Sequence, residues 1–175
     1  MDADIYAMQA FVDTMVGTPK FSYPAKRNNP RPNDEFAEVQ LLEEYAVGLP
    51  VKRIIEETPE WTRYVVRSAS RLRFRIGIVE TNGIASTKIM HGWTSEAMLA
   101  LMFSTGYGFI RCNPIGIEDA KLEKDWERRQ GLSVETYVER VYVETIDNIT
   151  AMQINGSFIT EGLDELLVQI EINNL

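Results

Sequence analysis

The chain has 175 residues, a formal net charge of −8, 45% hydrophobic and 25% charged residues, and one cysteine, Cys112. That length fits a single domain, residues 1–175, able to remove roughly 70% of its unfolded surface from water. The acidic balance argues against a surface that grips nucleic acid throughout, although a local basic patch stays open, and an acidic surface would let DNA slide past. A lone cysteine forms no intrachain disulfide and suits the cytosol. The N-terminus MDADIYAMQAFVDTM carries acids where a signal peptide needs positive charge, and no apolar run approaches the ~18 residues of a membrane span.

Residues 3–16 predict a helix, with Ile5, Met8, Val12 and Met15 on one apolar stripe, Asp2 or Asp4 favouring its start and Gly17 its stop. Residues 17–34, GTPKFSYPAKRNNPRPND, are too rich in proline for regular structure. A loop of that length without structure commonly has a task, and Phe21, Tyr23, Lys26, Arg27 and Arg31 give it handles for docking on a neighbour. A strand is expected over 36–46, with Val39 and Leu41 on one side, while 51–57 is ambiguous. The clearest β pattern covers 62–80: Leu72, Phe74, Ile76 and Ile78 on one face, Arg71, Arg73 and Arg75 on the other. Ser68–Ser70 could bend it.

After Asn82 and Gly83 comes a helical region divided at Gly92. Its second part is capped by Thr94, carries Glu96 in its first turn and stops at Gly106. Its broad apolar run predicts a helix well buried against a sheet. A short strand at 108–112 ends at Asn113 and Pro114, and the charged stretch 118–128 suggests a helical turn. Residues 131–144 form a strand whose phase changes between Val138 and Val141, which a β-bulge near Glu139 and Arg140 would reconcile. Asp147 and Asn148 turn into a strand at 149–160, and 166–172 forms the last. The order predicts an α+β fold: a mixed, largely antiparallel sheet, with the N-terminal helix and the central helical region packed on one face.

Chemistry is hard to place on this pattern. His91 is the only histidine and lies 21 positions from Cys112, with no GxSxG elbow and no metal-ligand spacing. The adjacent pairs Glu43–Glu44 and Glu56–Glu57 point to opposite faces of a strand. No phosphate-binding loop occurs. The expectation is no enzyme, no cofactor and no metal. What stands out is the row Arg71, Arg73, Arg75. Buried and unpaired it would be costly. Three readings follow, in order: a subunit interface meeting acidic strands such as those of Glu135 and Glu139, a solvent-facing surface, and contact with DNA phosphates.

Several stretches together resemble the phage neck and tail terminator proteins. They are the N-terminal amphipathic helix, the segment Pro30-Arg31-Pro32, the strand RLRFRIGIVE at 71–80, and DWERRQGLSVETYVERVYVET at 125–145 ahead of the closing strand pair. Where the family carries alanine after the arginine of the WERR element, Arg129 and Gln130 stand here. The resemblance implies a virion protein of the phage neck or tail, assembled in the host cytoplasm. As a homohexameric ring it would cap the tail tube, end its polymerisation and join the tail to the head connector. The implied partners are other copies, the tail tube protein, neck proteins and genomic DNA passing through the channel, with no membrane. A head-completion protein is the near alternative; a small DNA-binding module or an enzyme comes from other classes. The proline-rich arm spans 17–35. The interface candidates are Arg71, Arg73, Arg75, Arg31, Glu135, Glu139 and Trp126.

Overall fold

The computed structural model describes residues 2–25, 32, 34–79, 83–117, 120–122, 125–127, 129–148, 151–158 and 166–173. The first helix, α1 (Asp2–Val16), buries Met8, Phe11, Val12 and Val16. Ile5 and Met15 of the expected stripe are half-buried, and Phe11 takes a central place. Asp4 lies inside the helix, 1% exposed, and accepts hydrogen bonds from Arg140 and Tyr107. Gly17 ends α1 at φ 79°, its N–H donating to the Asp13 carbonyl.

The chain beyond Gly17 is not all irregular, which corrects the expectation for 17–34. Ser22–Pro24 form β1, parallel to the next strand in the register Ser22 with Ala37 and Pro24 with Val39. The reason lies on α1. The Asp13 carboxylate accepts from the backbone N–H of Lys20 and of Ser22 and from the Ser22 hydroxyl, and Gln9 Nε2 donates to the Ser22 carbonyl. These contacts pin the segment flat against the helix, and an edge strand tolerates a proline at its end.

Strand β2 (Phe36–Glu57) joins the expected strand and the ambiguous 51–57 into one element, and β3 (Trp61–Val79) follows after a short turn. Leu72, Phe74, Ile76 and Ile78 are all fully buried, as their alternation predicts. At ~1.5–3 kcal/mol each, this row is a main source of stability. Helix α2 (Ile84–His91) leads through a 3₁₀ turn, Gly92–Thr94, into α3 (Glu96–Thr105). The cap is Ser95, one residue past Thr94, because Ser95 alone has the extended backbone that aims its Oγ at the Met98 N–H. Gly106 closes α3 at φ 74°. Helix α3 is not well buried: Met98 and Met102 are covered, while Leu99 and Phe103 are 52% and 91% exposed.

Strand β4 (Tyr107–Ile117) runs past Asn113 and Pro114, where an end was expected. It is an edge strand, so Pro114 costs no ladder donor. Two three-residue strands, β5 (Ala120–Leu122) and β6 (Asp125–Glu127), pair antiparallel where a helical turn was expected, in the register Ala120 with Glu127 and Leu122 with Asp125. Strand β7 (Arg129–Asp147) pairs antiparallel with β4 without interruption from Gln130 to Val138. Its irregularities are carried by the partner, which has register shifts around Ile110 and Ile115. Past residue 140 the phase problem dissolves, since Val141, Tyr142 and Val143 are all more than half exposed. Strands β8 (Ala151–Phe158) and β9 (Leu166–Asn173) form an antiparallel hairpin.

The main sheet has the order β1-β2-β3-β7-β4. The residues fall into two compact units: Met1–Leu49 with Ser68–Arg140, and Pro50–Arg67 with Val141–Leu175. The first holds the core, in which α1, α2 and α3 pack on one face of the sheet through Met8, Phe11, Ile89, Trp93 and Met98 against the β3 row and Leu132, Val134 and Val138. Trp93 stacks on Phe109 at 4.6 Å. In the second unit Asn148 secures the β2–β3 turn: its N–H donates to the Glu60 carbonyl and its Nδ2 to the Thr58 carbonyl, while its Oδ1 accepts from the Thr62 hydroxyl. Lys52 and Glu144 pair across this unit at 2.6 Å. Among the described residues no helix is long and apolar enough to cross a membrane.

Candidate interface on the open face of the sheet

In the first unit one face of the sheet is covered by helices and the other carries the arginine row. Strict alternation along β3 puts Arg71, Arg73 and Arg75 opposite the buried Leu72, Phe74 and Ile76. On β2 the parity changes. Glu38 and Gln40 stand beside Arg75 on the open face, and so do Glu43, which pairs with Arg73 at 2.9 Å, and Tyr45, whose ring lies 5.7 Å from the Arg71 guanidinium. Even positions give way to odd ones between residues 40 and 43, as one extra residue at Leu42 would produce. The same shift turns Glu44 to the helix side, where it pairs with Arg140.

A matching shift on β4 sets the other flank. The irregularity at Ile110 leaves both Phe109 and Cys112 against the core and turns Arg111 to the open face. There the carboxylate of Glu135, with its side chain only 5% exposed, accepts from Arg111 at 2.6 Å and from Arg71. Glu135, expected to answer the row from a second subunit, thus answers it within this sheet, and so does Glu43, which was not among the expected partners. The Nε atoms of Arg71 and Arg73 are buried without a hydrogen-bond partner. Donors left unmet are a poor way to stabilise a lone sheet.

At the end of the row lies a groove of about 350 Å³, lined by Glu38, Gln40, Arg75, Gly77, Val79 and Arg129 among others. Its floor is open at Gly77, where an added Cβ would meet nothing within 4 Å. Neither the groove nor the roles of Arg111 and Arg129 were evident from the sequence. They depend on which strands are neighbours, and only the irregular spacing of apolar residues in β4 hinted at Arg111.

The remaining candidates are scattered. Glu139 is exposed on β7. Trp126 sits on β6 opposite Lys121. Arg31 lies outside the described residues. Of the groups weighed for chemistry, His91 is exposed at the end of α2, and burial pushes the Cys112 thiol up to about 11, which leaves it uncharged and a weak nucleophile at neutral pH. Among the described residues no three His, Cys, Asp or Glu side chains gather as a metal site would require. The sequence profile for the phage neck terminator protein matches residues 6–162. No curated protein matches the chain significantly.

Proposed function

The chain belongs to the phage neck terminator protein family, and on that premise we propose that copies of it form a ring, a homohexamer by the family resemblance, that caps the tail tube. The ring ends polymerisation of the tube and presents a surface to the head connector. Its role in the neck is structural, without catalysis, and its place in the virion is the neck, where the tail meets the head. The tube protein, the connector proteins and the passing genome are its partners, with the DNA sliding through without sequence-specific contact.

The observation that supports this reading best is the asymmetry of the sheet in the first unit. One face is packed with three helices, and the other is lined with arginines and carries no helix among the described residues. A ring subunit needs two unlike surfaces that complement each other, because heterologous contacts close by rotation. The net charge of −8 agrees with a channel through which phosphates must pass.

The test is Arg73→Glu. Arg73 is partly exposed, so the variant is expected to fold as the parent does while ring formation is lost, read by mass photometry and by electron microscopy of assembled tails. Normal rings from this variant would make the arginine row a wet surface. A protein that stays monomeric at high concentration and is absent from virions would end the ring reading altogether.

A further inference from the structure

We infer that the open sheet face of one copy is covered by helix α3 of the next, with Phe103 seated in the groove at Gly77. This rests on the ring reading and names the contact that would build it. Phe103 is 91% exposed and Leu99, one turn before it, 52% exposed. With the exposed Glu96 they stand at i, i+3 and i+7, one stripe along a ten-residue helix. Among the described residues of the first unit nothing packs on that stripe, since α3 faces the core through Met98 and Met102.

The groove suits this occupant. It offers about 350 Å³, room for an aromatic side chain, and Arg75 and Arg129 are at its walls. A guanidinium can keep hydrogen bonds along its edge while an aromatic ring lies on its face, so the partners these arginines already have do not exclude a ring between them. Charge agrees as well. Glu96 lies seven residues from Phe103, about 10 Å along a helix. Arg75 and Arg73 lie two and four residues from Gly77, about 7 and 14 Å along a strand. With α3 laid along β3 and its phenyl ring at Gly77, the Glu96 carboxylate falls between Arg75 and Arg73. Because stripe and groove occupy opposite faces of the sheet-and-helix unit, each copy can give one and receive one, which is a head-to-tail contact.

The experiment uses two variants of the full chain, Phe103→Ala and Gly77→Leu. Neither threatens the fold: Phe103 is almost wholly exposed, and a side chain at Gly77 has open space. Mass photometry of each is expected to show rings only at concentrations at least tenfold above those the parent needs, as for loss of a central contact residue. Incorporation into tails, in a phage complemented with each variant, is the second readout and is expected to fall in step. Mixing the two gives the sharper result. The Gly77→Leu copy keeps its phenyl ring and the Phe103→Ala copy keeps its groove, so the mixture is expected to yield dimers and no rings.

Full rings from either variant at parental concentrations, or rings from the mixture, would overturn this contact and leave the ring reading standing. Rings from Phe103→Ala that fail to join tails would also overturn it, by assigning Phe103 to a tube subunit. A parent chain that neither forms rings nor enters virions would overturn both.

Discussion

Asp4 lies in the first turn of a helix, where a carboxylate is ordinarily solvated, yet it is 1% exposed and meets Tyr107 at 2.6 Å and Arg140 at 3.0 Å. Burial pushes its carboxyl upward, but the hydrogen bonds from Arg140 and Tyr107 outweigh that and hold it below its ordinary value of 3.8. A carboxyl lowered on folding contributes stability that is present above about 3.8 and is lost as pH falls through the folded value. Two substitutions separate the partners. Arg140→Leu strands a buried carboxylate and is expected to cost about 3–5 kcal/mol. Asp4→Asn keeps the shape and an acceptor and is expected to cost less, about 1–3 kcal/mol, with a shallower loss of stability below about pH 4. Urea unfolding at neutral and acid pH checks both. The sequence offered Asp4 only as a helix-start residue; its true role needs Arg140, 136 positions away.

The elements repeat this contrast between local and distant causes. Caps and stops are local, and the ones expected at Gly17 and Gly106 are found, while the start of α3 falls one residue later at Ser95. Ser95→Ala is expected to lower stability by about 1 kcal/mol and Thr94→Ala by much less, measured by thermal unfolding. The burial of α3 was overestimated because an apolar run says which residues avoid water, not which side has a neighbour; only the Met98 and Met102 side does. β1 was missed for a related reason. Its residues have poor strand propensity, and what makes them a strand is the Asp13 carboxylate clamping Lys20 and Ser22 to α1.

At the scale of the whole chain, the charge of −8 conceals a face rich in arginine, with Arg71, Arg73 and Arg75 on β3 and Arg111 on β4. If copies meet there, assembly depends on salt more than folding does. Raising sodium chloride from about 0.1 M to 1 M shortens the screening length from about 10 Å to 3 Å. The expected outcome is that half-assembly needs several-fold more protein at the higher salt. The unfolding midpoint is expected to move little, since the Glu135 pairs are shielded in the sheet. Mass photometry and urea titration on the same samples check the two halves of this statement.

The amino-acid order alone determined whatever depends on a short repeat. The two-residue period of β3 fixed which side is buried, the helical period placed α1 and the central helices, and the mixture of the two gave the α+β class. Tertiary structure decided what depends on neighbours far apart in the chain: the joining of Arg71 and Arg111 on Glu135, the shifts that turn Glu43 and Arg111 outward, and the groove at Gly77. The physical reason is that a side chain's direction follows from its own backbone, whereas its partner is set by which strands the whole fold brings side by side.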